Sequence, residues 1–372
     1  MPPEYIEALY QSRVEAATDP QQVRQRLMRV LLRTYSTMIA EIERDVAGGT
    51  PGEPITSARA AGLRQSIEQH LSRFANEFGG AVDREIREMI QDVRGAHIDA
   101  TRASFQRANV QGAAQVVQRF DDVPEQTLRL MMVRRDLGLA TTFRSLAGFR
   151  AQLSMDELND LIVSNVGRGV SSQRTARQIA SLLAGKDTQV RELINQNRTG
   201  SLLDFDQAVD DAGPAMKEAK RLYRIGETIA VTETNTAHFE ANRLSASRSP
   251  VIKALRWRLS GRHAGLRSSP DECDYLSQAD LYGLGAGIYP PENIPAQPHP
   301  RCQCSFVYVT RAPEEWSQPR PTPERTGSVT EEEMRGVIEE RGGSIGDQGL
   351  STVTDRIREY VELAEEAGAQ AA

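Results

Sequence analysis

Five side chains able to bind a soft metal ion, His263, Cys273, His299, Cys302 and Cys304, fall within 42 positions, and all three cysteines of the chain are among them. Zinc in structural sites takes four nitrogen or sulfur ligands tetrahedrally, and its binding energy can hold a loop that cannot hold itself. His299-Pro300-Arg301-Cys302 offers two ligands from one turn, while His263 and Cys273 close the loop from its other end. The spacing has no CxxC, and on an extended strand Cys302 and Cys304 point to opposite faces, leaving one of them to be a small buried hydrophobe. Two readings stand side by side: one structural zinc held by four of the five residues, or cysteines that pack and histidines that hydrogen-bond. Three cysteines are an odd number and Met1-Pro2-Pro3-Glu4-Tyr5 opens no basic-then-apolar leader, so a disulfide framework is not expected.

Catalytic patterns are weaker. A Cys-His pair could make a nucleophile, yet neither a nucleophile elbow nor a protease signature surrounds it. Asp271, Glu272, Asp274 and Asp280 could bind a hard cation, although acids in a Ser/Pro-rich loop are usually solvated. Gly283-Leu284-Gly285-Ala286-Gly287 lacks the GxGxxG spacing and opens no helix, which argues against phosphate binding. Glu227 and Glu233 read as polar-face helix residues and make a poor acid–base pair. No catalytic residue is assigned, and the chain is expected not to be an enzyme.

The elements that must position the cysteine cluster are mainly helices. After Asp19-Pro20, the residues Leu27, Val30, Leu31, Tyr35, Met38, Ile42 and Val46 form one apolar stripe, stopped by Gly48-Gly49-Thr50-Pro51. Leu63, Ile67, Leu71, Phe74, Phe78, Val82, Ile86, Met89 and Val93 form a second, predicting a rod over 56–108 if Gly79-Gly80 only bends it. Such a rod must bury its stripe on the first helix, a later helix or another subunit. Shorter helices are expected near 124–138, 154–167, 172–185 and 188–197, and a longer one over 214–247. Leu255, Trp257 and Leu259 alternate with Arg256 and Arg258 as on a half-exposed strand, and 305–310 reads as a second strand. The segment 260–303 between them looks irregular, which is uncommon in a compact domain unless something ties it down.

The fold class expected is mostly α with a small α+β module. It comprises an extended N-terminal helical arm (1–153), a helical core leading to short antiparallel strands that bracket a long Cys/His-containing loop (154–311), a Pro-rich linker (312–323) and an acidic helical tail (324–372). The chain has 372 residues, 39% hydrophobic and 5% aromatic, so its core is aliphatic. No run of about 18 apolar residues suits a bilayer span. Formal charge is −6, which excludes a basic nucleic-acid coat. Residues 313–372 carry six Arg against 14 acids and supply that acidity. The tail is therefore expected to be separable from the body, with the linker as the first site of proteolysis.

Trp257-Arg258-Leu259-Ser260, His263, Asp271-Glu272-Cys273-Asp274, Tyr282 to Tyr289 and Pro298-His299-Pro300-Arg301-Cys302-Gln303-Cys304 together resemble the C-terminal part of the Mu F-like head morphogenesis proteins of tailed phages. Upstream, Ile229-Ala230-Val231-Thr232-Glu233-Thr234-Asn235 is similar to that family's helix, although the family often has Arg where Val231 stands. The resemblance covers roughly residues 155–310. It implies a minor head protein, a structural component of the virion that associates with the portal protein in the head interior during procapsid assembly. Major capsid or scaffolding protein and packaged or ejected DNA are further partners it implies, with several copies per particle, no membrane, and the host cytoplasm as the place of assembly. The family brings no established enzymatic activity. Its cysteine and histidine positions map onto His263, Cys273, His299, Cys302 and Cys304, where a structural zinc ion is the cofactor to consider.

Two other function classes compete. A zinc-dependent nuclease or hydrolase needs an open metal position and a nearby base, for which Asp271 or Glu272 would serve. A plain DNA-binding module could use Arg256, Arg258, Arg262 and Arg267 on phosphates, but residues 1–150 and 151–312 each net only +1. In the leading reading the arm, through its one-sided apolar stripe, mediates association with other subunits or the portal.

Overall fold

The computed structural model describes residues 3–17, 19–48, 56–136, 161–165, 217–261, 271–298, 302–321, 323–340 and 347–371, with positions 168, 170–171, 174–175 and 178. The helices are α1 (Pro3–Ala17), α2 (Pro20–Ala47), α3 (Ser57–Ala108), α4 (Ala113–Val117), α5 (Val123–Asp136), α6 (Lys217–Arg248), α7 (Glu272–Leu276), α8 (Glu331–Glu340) and α9 (Asp347–Ala371). The strands are β1 (Ile252–Arg258), β2 (Ile288–Tyr289) and β3 (Ser305–Thr310). The architecture is mostly α with a small antiparallel sheet, as the periodicities predict. The helices expected at 172–185 and 188–197, and the boundary at 153/154, lie largely or wholly outside the described residues.

The chain divides into two compact units, one of residues 21–85 and 141–231, the other of residues 1–20, 86–140 and 232–372. In the first, α2 and the N-terminal half of α3 form an antiparallel hairpin. Arg26 pairs with Glu85 at 2.7 Å, Tyr35 meets Phe74 edge-on at 5.8 Å, and His70 Nε2 lies 2.8 Å from Asp45. The Ser66 hydroxyl, and after it His70, hold the Asp45 carboxyl below its ordinary range. Leu27, Leu31, Ile42, Ile67 and Phe78 are buried within the chain. Of the partners expected for the stripe, the first striped helix, α2, is the one that covers it, because two stripes of equal period zip together at i, i+3 and i+4 spacing; the stripe is thus not left open as a face for other subunits. α3 runs through Gly79-Gly80 without a break.

In the second unit the sheet order is β2-β1-β3. Leu255 faces Tyr308 and Tyr289, while Trp257 faces Phe306. These aromatics form the inner face, capped by Phe239 of α6 at 5.5 Å from Trp257 and 4.1 Å from Phe306. Lys253, Arg256 and Arg258 point outward and are exposed. β3 is an edge strand, and α1 covers that edge: Gln11 Nε2 donates to the Phe306 carbonyl, and the Tyr308 amide donates to Gln11 Oε1 at 3.1 Å. A covered edge cannot pair with another chain.

Beneath α1 a buried polar chain joins four elements. Tyr10 contacts His97 Nδ1 at 2.9 Å, His97 Nε2 contacts Asn242 Oδ1 at 2.9 Å, and the Tyr308 hydroxyl donates to the same oxygen at 2.6 Å. These contacts select the His97 tautomer protonated at Nε2, with Tyr10 donating to Nδ1. Burial, opposed by the Asn242 contact, pushes the His97 pKa down to about 4, and burial pushes Tyr10 up to about 12.

The linker expected to be loose is anchored. Trp316 is buried against Phe105 at 5.0 Å and donates to the Arg311 carbonyl. Arg320 donates to the Ala246, Ser247, Ser249 and Ile252 carbonyls and pairs with Glu292, so its charge caps the C-terminus of α6. Beyond it, Val329, Met334, Leu350, Ile357 and Val361 join the same hydrophobic core as the sheet. The separable tail is corrected on this ground: α8 and α9 are amphipathic, and their apolar faces find partners on the module.

Candidate metal centre

Cys273 sits in the first turn of α7, whose start is a capping box. The Asp271 side chain accepts from the Cys273 amide at 2.8 Å, and the Asp274 side chain accepts from the Asp271 amide at 3.0 Å. Asp271, Glu272 and Asp274 are buried rather than solvated. Glu272 pairs with Arg356 at 3.2 Å, and Asp280 accepts from the Leu284 amide at 2.9 Å. All four acids of the hard-cation reading, including both candidate bases of the hydrolase reading, thus have structural partners.

The segment expected to be irregular carries α7 and β2. Gly283, Gly285 and Gly287 all have positive φ, and a Cβ on Gly287 would lie 2.4 Å from the Ser277 carbonyl oxygen. The glycine run is therefore the turn that returns the chain from α7 to the sheet, where Gly287 accepts from the Trp257 amide at 2.8 Å and donates to the Ala279 carbonyl.

Cys302 and Cys304 precede β3, outside the pleat, so the opposite-face expectation does not apply. Their sulfurs and that of Cys273 lie within 4.8 Å of one another, with Cys273 and Cys302 at 3.5 Å. All three are buried. Asn235 of α6 donates to the Cys302 carbonyl at 2.6 Å, and Gln297 Nε2 donates to the Cys302 and Cys304 carbonyls at 3.4 and 3.3 Å. Asn235 stood in the Thr-Glu-Thr-Asn run of the helix, whereas nothing in the sequence pointed to Gln297. Glu233, read as a polar-face residue, is buried, as is the Glu240–Arg243 pair. The Glu227 side chain lies outside the described residues, as do His263 and His299.

The three thiols can hold a metal ion. Thiolates bound to zinc at about 2.3 Å stand about 3.8 Å apart in a tetrahedron. The observed 3.5 Å and the 4.8 Å bound bracket that spacing. Hydrogen bonds with Cys302 and Cys304, in which the Cys273 thiol keeps its proton, and then burial push Cys273 well above its usual pKa. The Cys273 contact lowers Cys302, but the Cys304 contact and burial outweigh it and raise that thiol too. This environment is the opposite of one that activates a cysteine nucleophile. A soft cation offsets the mutual repulsion of thiolates, and its binding releases their protons.

Comparison with family models, with curated proteins and with solved structures finds no match to this chain.

Proposed function

We propose that this chain is a structural minor head protein of a tailed phage, with its cysteine module stapled by one zinc ion. Cys273, Cys302 and Cys304 supply three thiolates, and His299 or His263 supplies the fourth ligand. The zinc's role is structural: it closes the segment from α7 to β3 on itself and leaves α6 to hold the Cys302 backbone. The observation that carries the staple is the convergence of three buried sulfurs on one another, with the Cys302 backbone held by Asn235. The phage assignment is supported by the HPxCxC ending combined with the DxCD and glycine runs. In this reading the portal protein is the principal partner and the head interior the location, with capsid or scaffolding protein and DNA as further contacts. No membrane partner is proposed; among the described residues no helix is long and apolar enough to cross a bilayer.

The test is co-expression with the portal protein of a tailed phage encoding this chain, followed by mapping of the purified particle by electron microscopy. Density for the sheet and α6 beside the portal is the expected result. Particles that assemble normally without the chain would overturn the assignment.

A further inference from the structure

Among the described residues, the C-terminal helices and the turn ahead of α8 make a group of polar contacts to one short stretch, residues 272–282. Arg356 of α9 pairs with Glu272, Tyr275 donates to Glu333 of α8 at 3.3 Å, and Tyr282 donates to Glu365 of α9 at 3.0 Å. The Thr326 and Gly327 amides, just ahead of α8, both donate to the Leu281 carbonyl, at 2.9 and 3.0 Å. Gly327 lies so close that a Cβ there would stand 2.9 Å from the Asp280 carbonyl oxygen. These contacts all land within eleven consecutive residues that begin on α7.

That platform cannot position itself. α7 has five residues, far short of the roughly 12–15 at which an isolated helix becomes even marginal in water. Its place is set by external ties. Tyr289 donates to the Leu276 carbonyl at 2.7 Å, and Gly287 donates to the Ala279 carbonyl at 2.9 Å. At the N-terminal end one tie is Cys273, against Cys302. Glu272 and Tyr275, which hold α9 and α8, flank that cysteine within a single turn of helix. A displacement of the Cys273 backbone therefore carries both of these docking groups with it.

We propose that metal occupancy of the Cys273–Cys302–Cys304 site governs the docking of α8 and α9, making residues 272–282 a latch for the acidic tail. The proposal rests on the metal reading above. With a cation bound, the three sulfurs are held on one centre, α7 is fixed and the tail is held. Without it, the N-terminal end of the platform loosens and an acidic, amphipathic helical pair is released.

The experiment uses the full-length reduced chain, stripped by chelator and then reloaded with zinc, with hydrogen exchange followed in α8, α9 and α2. Cobalt loading, read by thiolate-to-metal absorption, reports binding independently. The expected result is exchange in α8 and α9 that is about tenfold faster without metal and recovers on reloading, while α2 is unchanged. The double variant Glu272→Gln/Tyr275→Phe should show fast exchange in α8 and α9 with metal bound, its cobalt absorption intact. Cobalt absorption with no change in α8 and α9 exchange overturns the latch and leaves the metal site standing. A parallel rise in α2 also overturns it, because the site would then hold the whole fold. Absence of thiolate–cobalt absorption overturns the metal reading and the latch together.

Discussion

The helical hairpin of α2 and α3 and the module around the cysteines are stabilised by different means. In the hairpin, many interchangeable aliphatic contacts repeat along two matched stripes, and the polar pairs lie toward the solvent, as with Arg26–Glu85 and Arg73–Glu41. In the module, single polar groups act at single places: Asn235 on the Cys302 carbonyl, Gln11 on the edge of β3, Arg320 on the end of α6. Repeated burial tolerates change at most positions and penalises the loss of a large side chain. One-of-a-kind hydrogen bonds leave an unsatisfied partner behind when removed, and they depend on protonation.

The largest effect expected lies in the hairpin. Phe78 is fully buried and stacks on Phe74 at 6.4 Å, so Phe78→Ala should cost about 3–5 kcal/mol in denaturant unfolding. Cobalt binding at the cysteines should survive that substitution under native conditions; its loss would mean that the two regions do not behave separately.

Next comes acid sensitivity, which the comparison assigns to the module. His97 has a folded pKa of about 4 against an ordinary 6.5, so on acidification the unfolded chain takes up the proton first. The stability contributed is fully present above pH 6.5 and is lost as pH falls toward 4, amounting to about 3 kcal/mol. Unfolding measured at pH 7 and pH 4.5 should show this loss, and His97→Gln should remove most of the difference between the two. An equal slope in the variant would show that carboxylates, not His97, set the acid limit.

The smallest effect expected is at the site. Asn235→Ala removes the shorter of the two donors to the buried Cys302 carbonyl, leaving Gln297 at 3.4 Å, and should cost about 1–3 kcal/mol. It should also weaken cobalt binding, whereas Phe78→Ala should not. Unchanged metal affinity would show that Cys302 is positioned without α6.

The sequence by itself determined the elements whose signal is local. The stripes of α2 and α3, a strand from the alternation of 255–259 (placed at 252–258 in the structure), a second at 305–310, and a Cys/His-rich stretch between them follow from the 3.6-residue and two-residue periods and from residue type. Tertiary structure alone decided how those elements meet. It showed that the stripe is covered by its own hairpin, that Asp271 and Asp274 cap a helix, and that the glycines turn the chain into β2. It also brought Asn235 to Cys302 across 67 residues and Gln11 to Phe306 across 295. The reason is physical: periodicity records which face of an element avoids water, whereas a hydrogen bond between distant residues records only where the chain has already been brought, and no short window of sequence contains that.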